Sequence, residues 1–456
     1  MKQHKLLSLS TTQIIICGFL LAILIGTVLL LLPVASADGV ETTILDALFT
    51  STTSVCVTGL VTVDTFSHWS LFGHIVILLL IQLGGLGIVT FTTSLILLIG
   101  RKVTLRSRLL LEDAFNLNTL TGLVRFLKFV LATTGIIELI GMAGYAIVFV
   151  PEYGAKGIWY SLFHSVSAFC NAGIDILGPD SLASYASNMW VNIVTMLLII
   201  CGGLGFIVWM DIFRVRGLYR SGDIPRKYLY QKLNVHTKIV LWTTVILIAI
   251  GALLVYTLEY TNEGTLGNLS EPQKILSSIF ESVTLRTAGF YTIPQENLRE
   301  TTVLVALVFM VIGGSSVGTA GGIKTTTFAL VILSMWSTIL GRDEVSAFKR
   351  TIPLRTIRKA LSVLLIFVIV VFTATILMTV VTGSNITDAA FETFSALGTV
   401  GLSRGFTPNM NTAGKIIIII CMYLGRIGPI SLAIALGTGR SKKSMVTYLQ
   451  EDITVG

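Results

Sequence analysis

The chain is poor in charge: only 12% of its 456 residues are Asp, Glu, Lys or Arg, about half the usual share, while 53% are hydrophobic and the mean hydropathy is +0.85. This excludes an ordinary soluble enzyme, and a disordered chain is excluded for the opposite reason, since apolar surface abounds. Prolines are few, at nine, while the 42 glycines are plentiful, a balance that suits packed membrane helices. The five cysteines (Cys17, Cys56, Cys170, Cys201, Cys421) lack the paired spacing of a zinc site or a disulfide framework and read as small hydrophobes. Neither H-E-x-x-H nor a G-x-x-x-x-G-K-[ST] phosphate loop is present, and His68, His74, His164 and His236 show no metal spacing. Nucleotide control would therefore have to come from another subunit.

What the chain has instead is long apolar runs. Residues 11–33, 70–100, 189–210, 238–258 and 360–382 reach or exceed the roughly 20 residues that cross a bilayer, so a polytopic membrane protein is expected. The first run follows Lys2 and Lys5 but is about twice as long as a signal peptide's apolar core, so it reads as an uncleaved span.

Four short stretches are alike: FTSTTSVCVTGL at 49–60, FHSVSAFCNAGI at 163–174, ESVTLRTAGF at 281–290 and FETFSALGTVGL at 391–402. Their glycines, Gly59, Gly173, Gly289 and Gly401, are separated by 114, 116 and 112 residues, and a quarter of the chain is 114. Cys56 and Cys170 hold equivalent places in the repeat. A second glycine marker follows each, in QLGGLGIVTF, ICGGLGFIVW, VIGGSSVGTAGGIKTTTF and YLGRIGPISL. The segments 43–55, 158–170, 273–285 and 386–397 are too short to span and fit re-entrant half-helices. The expected fold is therefore an all-α membrane protein of four M1-P-M2 repeats, with eight transmembrane helices, four re-entrant pore helices and filter loops around one pseudo-fourfold pore. The repeats are taken as residues 1–105, 106–215, 216–345 and 346–456.

Charge placement gives an orientation. The N-terminus, 101–128, 211–238, 342–359 and the C-terminus hold 24 of the 32 basic residues, which assigns them to the cytoplasm. Fifteen of the 24 acidic residues fall on the opposite side. The net charge of +8 is thus an orientation signal, and nucleic acid is a poor partner for it.

Non-helical backbone at membrane depth is tolerated where it is buried or lines a water-filled cavity. Carbonyl oxygens of four extended strands around a shared axis can replace the water shell of a cation, and glycine permits the backbone angles this requires. Side chains beside the glycine are then free to vary, as VTGL, NAGI, TAGF and TVGL do. The last is close in character to the TVGY of potassium channels.

Through these four loops, their spacing, the GGSSVGTAGGIKTTT segment and the YLGRIGP segment, the whole chain resembles the Trk/Ktr/HKT superfamily of potassium transport proteins, most closely the KtrB-type ion-translocating subunits. The resemblance implies a selectivity filter at Val57, Thr58, Gly59, Asn171, Ala172, Gly173, Thr287, Ala288, Gly289, Thr399, Val400 and Gly401, with K⁺ as substrate on the filter carbonyls. Plant relatives with serine at the first glycine position go with sodium permeation; Gly59 favours potassium. The segment 313–322 holds five glycines and three Ser or Thr residues, so a helix should break there. By resemblance, residues 313–327 (with Gly313, Gly314, Ser315, Ser316, Gly318, Thr319, Gly321 and Gly322) form an intramembrane gate; the alternative is a small-residue packing face. Lys324 either holds the closed form by charge pairing or caps a half-helix.

Arg426 lies inside the last apolar segment, where an unpaired charge costs at least roughly 2.5–3.5 kcal/mol, so it faces the pore or a partner. Resemblance puts it in the permeation path below the filter, with a helix-stapling salt bridge to Glu138 or a loop acid as the alternative. Acids near the loops, among them Asp46, Asp64, Asp175 and Glu392, would concentrate cations at the mouth. Arg286 and Arg404 would brace the loops from behind.

The expected activity is K⁺ uptake across the plasma (inner) membrane by the membrane subunit of a Ktr-type system, with both termini cytoplasmic. The resemblance further implies a homodimer, docking on a cytosolic RCK-type (KtrA-like) ring that binds ATP/ADP or NAD, and Na⁺ as an activator; no cofactor is expected in this chain. Arg440, Lys442 and Lys443 offer a docking surface, Gly456 a dimer contact, and the lack of extra N-terminal helices favours Ktr over a short Trk subunit. Two rivals are a Na⁺- or H⁺-coupled K⁺ symporter and an intramembrane hydrolase or sensor using Ser403, Glu138 or His164. GLSRG at 401–405 matches a nucleophile pattern but lacks the strand-to-helix elbow that chemistry needs.

Overall fold

Among the described residues, four helices carry the length needed to cross a bilayer: α1 (Thr11–Leu30), α4 (Leu123–Tyr153), α8 (Val235–Glu259) and α12 (Leu354–Thr382). They belong to a computed structural model that describes residues 11–37, 39–88, 90, 91, 93, 122–428 and 451. Lys2, Lys5, the end of the second apolar run, most of the 101–128 loop and the tail with Arg440, Lys442, Lys443 and Gly456 lie outside these residues.

Each long helix buries one narrow face and exposes the rest. On α1, Ile23 is buried while Leu24 and Val28 are 50% and 62% exposed, as a helix bathed in hydrocarbon requires. Each long helix precedes a short one: α2 (Ile44–Cys56), α5 (Lys156–Phe169), α9 (Glu271–Thr284) and α13 (Ile386–Gly398), of 13, 14, 14 and 13 residues. These short helices form the core, and Phe49–Cys56 and Phe163–Phe169 are buried without interruption. Their starts are written locally. Thr43 and Asn385 accept from backbone N–H groups of the first turn, and the Ser270 N–H donates to Gln273.

Small residues join long helix to short one. A Cβ on Gly26, Gly141 or Gly251 would collide with the hydroxyl of Ser51, Ser165 or Ser282. Those hydroxyls donate to the carbonyls of Ile23, Glu138 and Ile248, each three residues before the glycine, at 2.7, 2.6 and 2.9 Å. In the fourth quarter a Thr375–Thr393 hydroxyl contact of 2.7 Å takes this place.

The expectation of continuous second spanning helices, broken only in the third quarter, requires correction. Helix α3 (Leu71–Leu86) ends at Gly87, and α6 (Met189–Leu204) meets α7 (Phe206–Arg220) at a 90° bend on Gly205. In the third quarter residues 312–324 separate α10 (Glu300–Val311) from α11 (Thr325–Ile339), and α14 (Thr412–Ile427) ends at Gly428. Gly87, Gly205 and Gly428 share φ of 80°, 84° and 88° with ψ of 139°, 147° and 130°, a conformation closed to L side chains that stops the helical ladder. Helix α7 also runs across the 215/216 repeat boundary.

Two short strands were not foreseen. β1 (Ser346–Ala347) pairs antiparallel with β2 (Arg350–Thr351) through a turn in which Phe348 and Lys349 take φ of 50° and 62°.

Candidate functional site

The short helices end in four loops of one conformation. Two residues before each marker glycine the backbone turns left-handed, at Val57 (φ 55°), Asn171 (φ 59°), Thr287 (φ 67°) and Thr399 (φ 53°). The glycines follow with φ of 104°, 66°, 81° and 93°, whereas Thr58, Ala172, Ala288 and Val400 between them keep negative φ. Alternation of sign directs successive carbonyls to one side of the strand, the requirement for a carbonyl-lined cation path. A left-handed valine or threonine is costly, and it persists because the surroundings dictate it.

Those surroundings are the short helices themselves. The N–H groups of Thr58, Ala172, Ala288 and Val400 donate to the carbonyls of Thr53, Ser167, Thr284 and Ser395 at 2.8–3.0 Å. Gly59 and Gly401 donate to the hydroxyls of Thr53 and Ser395, while Ser167 and Thr284 donate to the carbonyls just past the glycine, of Ile174 and Phe290.

The four glycines adjoin one another in cyclic order. A Cβ on Gly59 would lie 2.6 Å from the Ala172 carbonyl oxygen and 3.1 Å from Gly401 Cα. One on Gly173 would strike Gly289, one on Gly289 would lie 2.8 Å from Gly173 Cα and 3.0 Å from the Val400 oxygen, and one on Gly401 would strike the Thr58 carbonyl. All four glycines line the floor of a cavity of about 560 Å³, whose upper wall includes Asp64, Asp175, Glu296 and Arg404. Burial pushes the Asp175 carboxyl up to about 7, with hydrogen bonds from Leu177 and Ser181 working against it. Glu392 accepts from the Ser403 and Thr407 hydroxyls and the Arg404 N–H and so pins the mouth of the fourth loop.

On the opposite side of the glycines lies the 312–324 loop. Thr319 Oγ1 lies 2.9 Å from the Phe169 carbonyl and 2.8 Å from Asn171 Oδ1, both in the second filter loop or its helix. Ser315 N–H donates to the Gly203 carbonyl at 2.7 Å, and Phe206 N–H to the Val317 carbonyl at 2.9 Å. A Cβ on Gly321 would collide with Thr399. The loop is therefore an irregular segment held against two quarters, beyond what a small-residue helix face would be.

Arg426 Nη1 donates to the Thr319 carbonyl at 2.5 Å, and Nη2 to the Gly84 carbonyl with the Gly85 carbonyl at 3.3 Å. One guanidinium thus ties the loop to the end of α3. Glu138 takes a hydrogen bond from Gln82 at 3.3 Å, and among the described residues it forms no salt bridge with Arg426, the alternative considered above. Lys324 Nζ donates to the Ala320 carbonyl at 2.7 Å, with Gly321 at 3.5 Å, and Lys324 itself is the residue before the first turn of α11. Its recorded contacts are loop carbonyls, with no acid among them.

Arg404 pairs with Asp388 at 3.1 Å and Glu300 at 3.8 Å, while Arg286 is buried with its Nε unpartnered. Sequence reasoning missed the register of Arg426. Within the GGLG, GGLG, GGSS and GRIG tetrads, it stands where the other quarters have Gly85, Gly203 and Gly314. The first glycine of three tetrads seats the helix on its own short helix: a Cβ on Gly84, Gly202 or Gly425 would strike the carbonyl of Val55, Phe169 or Leu397, each four residues before a marker glycine.

Among the described residues, Ser403, His164 and Glu138 are not brought together for hydrolase chemistry. Ser403 donates to Glu392, His164 Nδ1 contacts the Tyr160 carbonyl inside a cage that includes Tyr145, Phe149 and Phe163, and Glu138 sits with Gln82. Long lipid-facing helices around strained loops that turn their carbonyls to one side define a membrane transport protein.

Comparison with known proteins gives the particular kind. The family model TrkH, cation transport protein, matches residues 2–444. Ktr system potassium uptake protein B of Bacillus subtilis is 39% identical over 456 residues, covering 100% of this chain and 99% of the relative. The potassium/sodium uptake protein NtpJ of Enterococcus hirae is 37% identical, covering 100% of this chain and 99% of that protein. The crystal structure of the potassium transporter TrkH from Vibrio parahaemolyticus superposes with a TM-score of 0.72 at 17% identity, over 96% of this chain and 87% of that one. The chain belongs to the TrkH family of cation transport proteins.

Proposed function

We propose that this protein carries K⁺ into the cell through one path on the axis of the four loops, as the membrane subunit of a Ktr-type uptake system. The observation that carries the reading is the recurrence, in all four quarters, of a left-handed residue two places before a positive-φ glycine, with the glycines in cyclic contact. In this reading the four quarters are M1-P-M2 units with pseudo-fourfold symmetry, eight spans counting each broken second helix as one.

A cation enters through the mouth, where Asp64 and Glu296 favour positive charge and Asp175 adds to them once it ionises above pH about 7. It exchanges water for the carbonyls of residues 57–59, 171–173, 287–289 and 399–401. Below, residues 313–327 form the gate, shut while Thr319 is held by both the second filter loop and Arg426. The Arg426 charge adds an electrostatic barrier, and Lys324 stiffens the loop through its carbonyls. The basic segments place both termini on the cytoplasmic side of the plasma membrane. A homodimer docked on a cytosolic nucleotide-binding subunit, with Na⁺ as stimulant, completes the proposal and agrees with the system-level name of the Bacillus relative.

The test is uptake of Rb⁺ against Na⁺ into liposomes holding the purified chain and its Gly59→Ser variant, with and without a cytosolic regulatory subunit. Expected are selective Rb⁺ uptake by the parent and a larger Na⁺ share in the variant. Uptake indifferent to Gly59 would refute the carbonyl path. Uptake that tracks an imposed Na⁺ or H⁺ gradient would replace channel-like conduction with coupled symport.

A further inference from the structure

Away from the axis, an elongated groove of about 450 Å³ runs between α8 and α11 and under the β1–β2 hairpin. Trp242 and Ile246 of α8, Phe328 and Ile332 of α11, and Ala347 and Phe348 of the hairpin form its walls. Trp242, Ile246, Ile332 and Phe348 are 40–52% exposed, so the groove opens outward, to the side where the long helices meet hydrocarbon.

One end of the groove is of different chemistry. Trp242 Nε1 donates to the Tyr230 hydroxyl at 2.9 Å, an indole–phenol pair of the kind that marks the membrane–water boundary. Lys238, one helical turn before Trp242, places Nζ 5.2 Å from the Tyr230 ring and 5.9 Å from the Phe348 ring. Lys349 and Arg350 are exposed on the hairpin, and neither appears among the described ion pairs. Segments 226–238 and 342–359 together hold ten basic residues against two acidic ones, Asp343 and Glu344, and Glu344 already accepts from Thr351.

An apolar slot at hydrocarbon depth that ends in cations at the headgroup level has the form of an anionic amphiphile. We propose that it binds one phospholipid with a net negative headgroup, an acyl chain lying along Ile246 and Ile332 and the phosphate facing Lys349 and Arg350, while Lys238, buried and donating to the Gln231 carbonyl at 3.0 Å, adds its charge from behind the aromatic rings. A lipid there wedges α8 against the first turns of α11, the helix that begins directly after the 312–324 loop. The proposal rests on the membrane orientation proposed above, but its readout is lipid retention and is independent of ion flux.

The experiment is native mass spectrometry of the delipidated full chain, titrated with phosphatidylglycerol or with phosphatidylcholine of the same acyl composition. The parent should retain phosphatidylglycerol preferentially. Lys349→Gln with Arg350→Gln should weaken that retention about 25-fold, roughly fivefold for each charge near the surface, and leave phosphatidylcholine unaffected. Thr243→Phe, which fills the groove from its open side, should reduce retention of both lipids. Equal retention of the two lipids by the parent, or phosphatidylglycerol retention unchanged in both variants, would overturn the proposal.

Discussion

Arg426 and Thr319 together bear the polarity of the region beneath the glycines. A guanidinium reaches two carbonyls on different segments because its donors are spread across a planar fork, whereas a lysine ammonium is a point. Arg426→Lys should therefore lose either the Thr319 or the Gly84 contact and raise basal Rb⁺ leak in liposomes without regulatory subunit. Thr319→Val deletes the hydroxyl next to the Phe169 carbonyl and Asn171 Oδ1. It should raise leak as well and lower stability by about 1–3 kcal/mol, read as a shift in detergent unfolding temperature, because Asn171 loses a buried partner. Leak at the parent level in both variants would mean that the loop is held shut by other contacts. At this scale the sequence is only partly legible. A glycine with a period of about 114 residues announces a backbone requirement, but nothing in the letters V, N, T and T foretells a left-handed turn at 57, 171, 287 and 399. Valine and threonine resist that conformation while asparagine tolerates it, and tertiary hydrogen bonding imposes it on all four.

At the level of elements, the short helices are readable because length, small hydroxylated residues and a terminal glycine coincide in each quarter. The helix ends at Gly87, Gly205 and Gly428 are not, since two or three glycines in an apolar helix read equally well as a close-packing face, and only the third quarter signals its interruption with five glycines in ten residues. The β1–β2 hairpin is equally silent, for its turn is Phe348-Lys349 where asparagine and glycine are the common signal. The bend at Gly205 lends itself to a direct check. A Cβ there would lie 2.5 Å from the Ser316 carbonyl oxygen, on a residue at φ +84°. Gly205→Ala should cost about 1–3 kcal/mol from the backbone alone and loosen the bend. Spin labels at the exposed positions Leu197 and Phe213 should report a broader and longer distance distribution than in the parent.

Across the whole molecule, the ring is closed by contacts between the first quarter and the last. Lys415 Nζ meets Asp46 at 2.9 Å with both side chains mostly covered, and the Tyr423 hydroxyl donates to the Ile16 carbonyl at 2.8 Å. Burial raises the Asp46 carboxyl, but hydrogen bonds from Thr43, Lys415 and Thr62 outweigh it and hold the group below its ordinary range. Asp46→Asn and Lys415→Gln should each lower the unfolding temperature, and the double variant should add little to either, a coupling of about 0.5–3 kcal/mol in a double-mutant cycle. Strict additivity would show that the pair contributes nothing. Because the four glycine loops in mutual contact come from residues as far apart as 57 and 401, and the seam joins α1 to α14, assembly depends on synthesis. A ribosome that stalls before the fourth loop leaves a chain with three of the four loops, and Asp46 keeps its bonds to Thr43 and Thr62 but lacks the Lys415 ammonium. Such a fragment presents unpaired polar groups to the bilayer and is a target for the quality-control proteases.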